Sequence, residues 1–333
     1  GDALTTCTRN VAIGHRALSS ETGADQITAI GHDALKTYNK GSGDGNVVAI
    51  GYHAAQAMTT GNGTIIGALA GNALTTGTNN IVIGANALGN EDTGSKNIAI
   101  GGNSLENLNY DGEAYNVAIG HNAGRQVTTG IGNTLIGGNA GDALTTGSDN
   151  VAVGLAALGS EDEHGRNVAI GRSALESQNA GADAYNVAVG YNAGVLVTTG
   201  SSNTLVGGLA GDALTVGDNN IAVGRSALSA ETQGDRSVAI GNFALRDQNN
   251  TSNTDSYNVA VGHAAGASIT TGVQNTFIGG LAGDALTTGG QNVGIGYLAL
   301  TSANGSENYN VAIGTGSLMN LDGSGDMWNT AVG

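Results

Sequence analysis

The chain holds no proline, one cysteine, two phenylalanines and one tryptophan in 333 residues. Each scarcity excludes something. A disordered glycine-rich linker would carry proline or many charges, but charged residues here are only 11%, against roughly 25% in typical globular chains. The lone Cys7 cannot close an intrachain disulfide, and it stands where Ala73-Leu74-Thr75-Thr76-Gly77 and Ala143-Leu144-Thr145-Thr146-Gly147 place a glycine. It reads as incidental. Basic residues number 11 against 27 acidic, for a net charge of -16, and no Lys/Arg cluster occurs, so nucleic acid and anionic membranes are excluded as partners. No apolar run approaches the roughly 18 residues of a membrane span, so membrane insertion is not expected, and any export signal is expected to lie outside this stretch. There is no Gly-x-Ser-x-Gly elbow, no Cys/His pair and no phosphate loop opening a helix. The expectation is a protein that is not an enzyme and takes no cofactor.

Glycine, by contrast, is abundant at 58 residues, and it is periodic. The pentapeptide Asn10-Val11-Ala12-Ile13-Gly14 returns with small variations, in nineteen copies, until Asn329-Thr330-Ala331-Val332-Gly333. Its final glycine recurs at short, nearly even intervals, as from Gly14 to Gly31, Gly51 and Gly67. A short period running end to end is the mark of a solenoid, whose rungs bury their apolar side only by stacking. One continuous β-solenoid over 1–333 is therefore expected, rather than the two or so globular domains this length suggests. The chain begins and ends inside repeats, as a segment of a longer protein would.

Alternation of Val11 and Ile13 with Asn10 and Ala12 predicts a short strand, and the larger Val and Ile are expected to face inward. Glycine then turns the chain, an Ala-Leu step follows (Ala17-Leu18, Ala87-Leu88, Ala157-Leu158), and a Gly/Asn/Asp-rich loop returns to the next rung. Four kinds of rung recur in order, most of them roughly 17 to roughly 19 residues long. Successive cycles run from Gly51 to Gly120, on to Gly190 and on to Gly262, a super-repeat of roughly 70 residues. At roughly 4.8 Å per strand, nineteen rungs would make a rod about 90 Å long.

Ser237-Val238-Ala239-Ile240-Gly241 and Asn167-Val168-Ala169-Ile170-Gly171 resemble the head repeat of the YadA-like trimeric autotransporter adhesins, and similar repeats occur in the shafts of bacteriophage tail fibres. The rungs here are longer than those of the adhesins. The resemblance implies an all-β, left-handed parallel β-roll associating as a homotrimer, with Val and Ile filling the interior and an extracellular role. Self-association has a separate argument, since thin rungs rich in Ala, Leu and Gly would leave an apolar strip on a single chain.

Six histidines, among them His15 and His32 in consecutive rungs, mostly follow the strand glycine and read as solvated surface. The stretches Gly137-Gly138-Asn139-Ala140-Gly141-Asp142 and Gly207-Gly208-Leu209-Ala210-Gly211-Asp212 are similar to a calcium repeat, but they occur once per cycle and read as tight turns; no metal site is assigned. Recurrent Thr-Thr pairs occupy two rungs and skip two, too broken for an ice-binding face. Glu21, Glu91, Glu161 and Glu231 recur once per cycle and predict an exposed acidic row, serving solubility or weak cation binding. Tyr115, Tyr185, Tyr257, Tyr309 and Trp328 each stand just before the strand asparagine. They either pin the long loops or form spaced platforms for cell-surface polysaccharide, where many weak sites gain by avidity. The leading expectation is the shaft of an extracellular fibre on a virion or cell surface, most simply a phage tail fibre, self-associated as a homotrimer or longer filament. The alternatives are a trimeric adhesin head and a carbohydrate-active tailspike, the latter short of residues to build a cleft between paired carboxylates.

Overall fold

The computed structural model describes residues 1–301, 305–321 and 323–333. They form strands, turns and bends, with no helix among them, and the chain divides into two compact units, Gly1–Gly165 and Arg166–Gly333. Each unit is a parallel β-solenoid. In the first, strands such as Val11–Ile13, Asp25–Ile30, Asp44–Ile50, Ile98–Ile100 and Val117–Ile119 pair in parallel with their sequence neighbours, with like positions opposed: Val11 with Thr28, Ala12 with Ala29, Ile13 with Ile30. The second repeats this from Val168–Ile170 to Thr330–Val332, and adds a two-residue pair, Glu307–Asn308 with Gly325–Asp326.

The expectation that Val and Ile face inward is corrected. The middle residue of the strand is the buried one (Ala29, Ala49, Ala99, Leu135, Ala169, Leu205, Phe277), whereas Ile13, Ile81, Ile83, Ile119, Ile170, Ile240 and Ile313 are exposed and Val168 is half-buried. Alternation fixes two faces without saying which is inner. The interior is narrow: the strand's middle side chain meets the Ala-Leu step of the return segment, as Ala17, Leu18, Ala157 and Leu158, all fully buried, show. An Ile from each flank would not fit there.

Side-chain volume is balanced in the rungs with the largest strand centres. Where that centre is Leu or Phe, the return segment carries glycine in place of leucine: a Cβ on Gly141 would stand 2.7 Å from Leu135 Cδ2, and one on Gly283 2.4 Å from Phe277 Cε1. A buried leucine three residues on, Leu144 or Leu286, refills the space. The strand glycines serve another end. At Gly101, φ is +134° and a Cβ would meet the Gly120 carbonyl oxygen at 2.3 Å, so successive backbones approach too closely there for any side chain.

The strand asparagines are also buried, and they tie rung to rung. Asn133 Oδ1 accepts the backbone N–H of Asn150 at 3.0 Å, while its Nδ2 donates to the Gly147 carbonyl at 2.9 Å. The same pair of bonds recurs at Asn80, Asn116, Asn186, Asn203 and Asn220. A side chain with one donor and one acceptor group thereby satisfies loop and strand backbone where no water reaches.

Candidate functional surfaces

Glu21, Glu91, Glu161 and Glu231 are buried, so the exposed acidic row is a correction too. Glu231 closes its own loop. Its Oε1 accepts the N–H groups of Thr232, Gln233, Gly234 and Asn250 at 2.7–3.1 Å, and Oε2 accepts Gln248 Nε2 and Asn250 Nδ2 at 2.8 and 3.1 Å. Six donors fill the roughly four lone-pair positions of a carboxylate, leaving Glu231 nothing for a cation. Glu21 is held similarly by the N–H groups of Thr22, Gly23, Ala24 and Lys40. Burial opposes its ionisation, but these bonds together outweigh it and set its pKa below the ordinary value. Glu91 accepts fewer, from Asp92, Gly94 and Tyr110, and burial prevails, raising its pKa. What makes the carboxylate fit is the turn after it: a Cβ on Gly94 would overlap the Glu91 carboxyl at 2.4 Å.

Tyr115, Tyr185 and Tyr257 are exposed, each in the left-handed backbone region at φ 54°, 54° and 49°. Each belongs to the same three-residue constellation. Lys96 Nζ lies 5.0 Å from the Tyr115 ring centroid and donates to Tyr115 Oη at 2.9 Å, while Tyr115 Oη donates to Glu113 Oε2 at 2.5 Å. Lys96 also pairs with Glu113 at 2.8 Å, which holds that carboxyl below its ordinary pKa and raises the lysine's. Arg166 and Asp183 flank Tyr185, and Arg236 and Asp255 flank Tyr257, with guanidinium carbons 5.6 and 5.9 Å from the rings. Tyr309 and Trp328 do not repeat the pattern; their rings stack on each other at 4.1 Å, 2° from parallel. The first unit also carries a shallow groove of about 530 Å³ lined by Asn46, Asn62, Thr64 and Asn79, where the asparagine ladder is interrupted.

His15 and His32 are exposed, as expected of surface histidines, and they converge. His15 and His32 stack with centroids 4.9 Å apart, and His53, from the third rung, joins them 5.5 Å from His32. His32 and His53 flank Asp33, which is 2% exposed, and a ring nitrogen of His15 lies within 4.8 Å of its carboxylate. The displaced spacing of His53, one residue further from its strand glycine, hid this convergence, because Tyr52 takes the position matching His15 and His32.

Searches against family models and against curated proteins find no match to this chain.

Proposed function

We propose that the chain is part of the non-enzymatic shaft of an extracellular fibre of the phage tail-fibre kind, wound as a left-handed β-roll in four-rung cycles and associated as a homotrimer. The observation that carries this reading is the outward face of the strands. In the first unit it presents Ile13, Ile81, Ile83 and Ile119 and in the second Ile170, Ile221, Ile240, Ile278 and Ile313, all exposed on a single chain. Rows of β-branched aliphatics on an open sheet face mark an interaction surface, and the row recurs in both units, as a face serving a repeated contact would. Chemistry has little to work with by comparison: the glutamates that recur are buried in their loops, and the groove is shallow and lined by asparagine, threonine and aliphatic side chains with no titratable group among them.

An adhesive role is supported by the Tyr115, Tyr185 and Tyr257 constellations, which set an exposed ring beside an ion pair as sugar stacking and hydrogen bonding require. Sedimentation equilibrium tests the shaft reading: a species of three times 32.7 kDa supports it, and a monomer at micromolar concentration refutes it. Replacing Tyr115, Tyr185 and Tyr257 with Leu tests the adhesive role. Loss of glycan or cell binding with unchanged melting supports it; unchanged binding removes it.

A further inference from the structure

We infer that His15, His32 and Asp33 form a binding site for a transition-metal dication of the zinc class. Three observations carry it. One ligand atom from each of these residues lies within 4.8 Å of the other two, and His32 Nδ1 stands 3.6 Å from Asp33 Oδ1. That is too long for a hydrogen bond, yet close to the separation of about 3.3 Å expected between two ligands each about 2.0–2.1 Å from a tetrahedral zinc ion. Small side-chain rotations of two exposed imidazoles close the remainder. Second, Asp33 is buried and held in place by Arg16, whose Nε and Nη2 donate to the two carboxylate oxygens at 2.8 Å each. Arg16 uses one lone pair of each oxygen and leaves a second on each. Third, His53 Nε2 lies 3.7 Å from the other carboxylate oxygen, and its ring packs on Tyr52 at 3.8 Å, so a third imidazole stands against the same carboxylate beside the three converging residues.

The donor set selects the ion. Two imidazoles and one carboxylate suit Zn²⁺ and its neighbours, whereas Ca²⁺ and Mg²⁺ require a shell of oxygens that this surface does not offer. Arg16 and Lys36 Nζ, the latter 3.8 Å from Asp33, oppose a dication by charge and hold its affinity down.

Titration calorimetry with ZnCl₂ and with MgCl₂, in a Cys7→Ser background that removes the one thiol, decides the matter. The expected result is one Zn²⁺ per chain and no heat with Mg²⁺. His15→Ala with His32→Ala should weaken binding about tenfold or more, with the melting temperature in the absence of metal unchanged because both rings are exposed. Arg16→Gln should tighten it. His164→Ala, in the other histidine-carboxylate group of this unit, should leave it alone. Zinc binding unchanged in the double histidine variant, lost in His164→Ala, or matched by Mg²⁺ overturns the assignment.

Discussion

At the scale of the residue, the buried polar side chains hold successive rungs together. Removing the Asn133 side chain leaves the Asn150 N–H and the Gly147 carbonyl without partners in a site closed to water. An orphaned buried group costs about 1–3 kcal/mol, so Asn133→Ala should lower stability by about 2 kcal/mol or more, read from chemical denaturation. Tyr38 shows the same need met by another residue. Its rung has buried Val47 where other rungs place the ladder asparagine, and the buried Tyr38 hydroxyl donates instead to the Gly61 carbonyl at 3.1 Å. Burial, with a smaller contribution from the Glu21 charge, pushes its pKa up to about 12. An unfolded tyrosine ionises near 10, so between these values the folded chain holds a proton that the unfolded chain has lost. Stability due to Tyr38 is therefore complete below pH 10 and drains away toward pH 12. Ultraviolet titration should show a late tyrosine ionisation at about pH 12, and Tyr38→Phe should abolish that step.

At the scale of the element, each rung is a fixed interior volume shared among a strand centre, a return step and the strand centre of the next rung. Phe277 is the extreme case. It is opposed by Gly294, where Leu205 is opposed by Ala222 and Leu135 by Ala152, and a Cβ on Gly294 would stand 3.2 Å from the Phe277 ring. Gly294→Ala alone should cost about 1 kcal/mol or more by overpacking. Combined with Phe277→Leu it recreates the Leu205–Ala222 arrangement, so the double variant should be more stable than the sum of its parts, a coupling that a double-mutant cycle measures directly. The strand positions and the parallel stacking were legible because glycine spacing is a backbone demand, visible wherever the chain must turn. Which face is inner was not legible: a Val-Ala-Ile strand alternates identically either way, and the decision rests on residues a few positions later, Leu158 or Gly141 with Leu144. For the same reason Glu231 read as a surface acid. Its cage is made of backbone N–H groups and of Gln248 and Asn250, in the following rung, which composition does not reveal. The tyrosines do stand exposed at the loop mouths, as their place before the strand asparagine suggested, but their cationic partners come from the preceding rung and leave no local signal.

At the scale of the whole molecule, the reversal of the strand faces changes what the valines and isoleucines do. Were Val168 interior, a carboxylate there would unfold the single chain. It is half-buried on a face shared with Ile170 and Val187, so the chain itself has room for the charge. In an assembly that covers this face, the same carboxylate would be brought together with its copies from the other subunits in an apolar contact, where unpaired charge costs several kcal/mol. The isoleucines of this row in the second unit are already more than half covered in the single chain, so covering the rest contributes about 1 kcal/mol each, and a row of them can drive association that one carboxylate locally opposes. Val168→Asp should therefore keep the far-ultraviolet β signal while shifting the sedimenting species from three chains toward one of 32.7 kDa, and Val168→Ile should preserve the assembly. Loss of the β signal in Val168→Asp at concentrations where the parent is monomeric would return the valine to the interior. Retention of the full assembly by the variant would mean that this face is open to solvent, and that its aliphatic row serves some partner other than a copy of the chain.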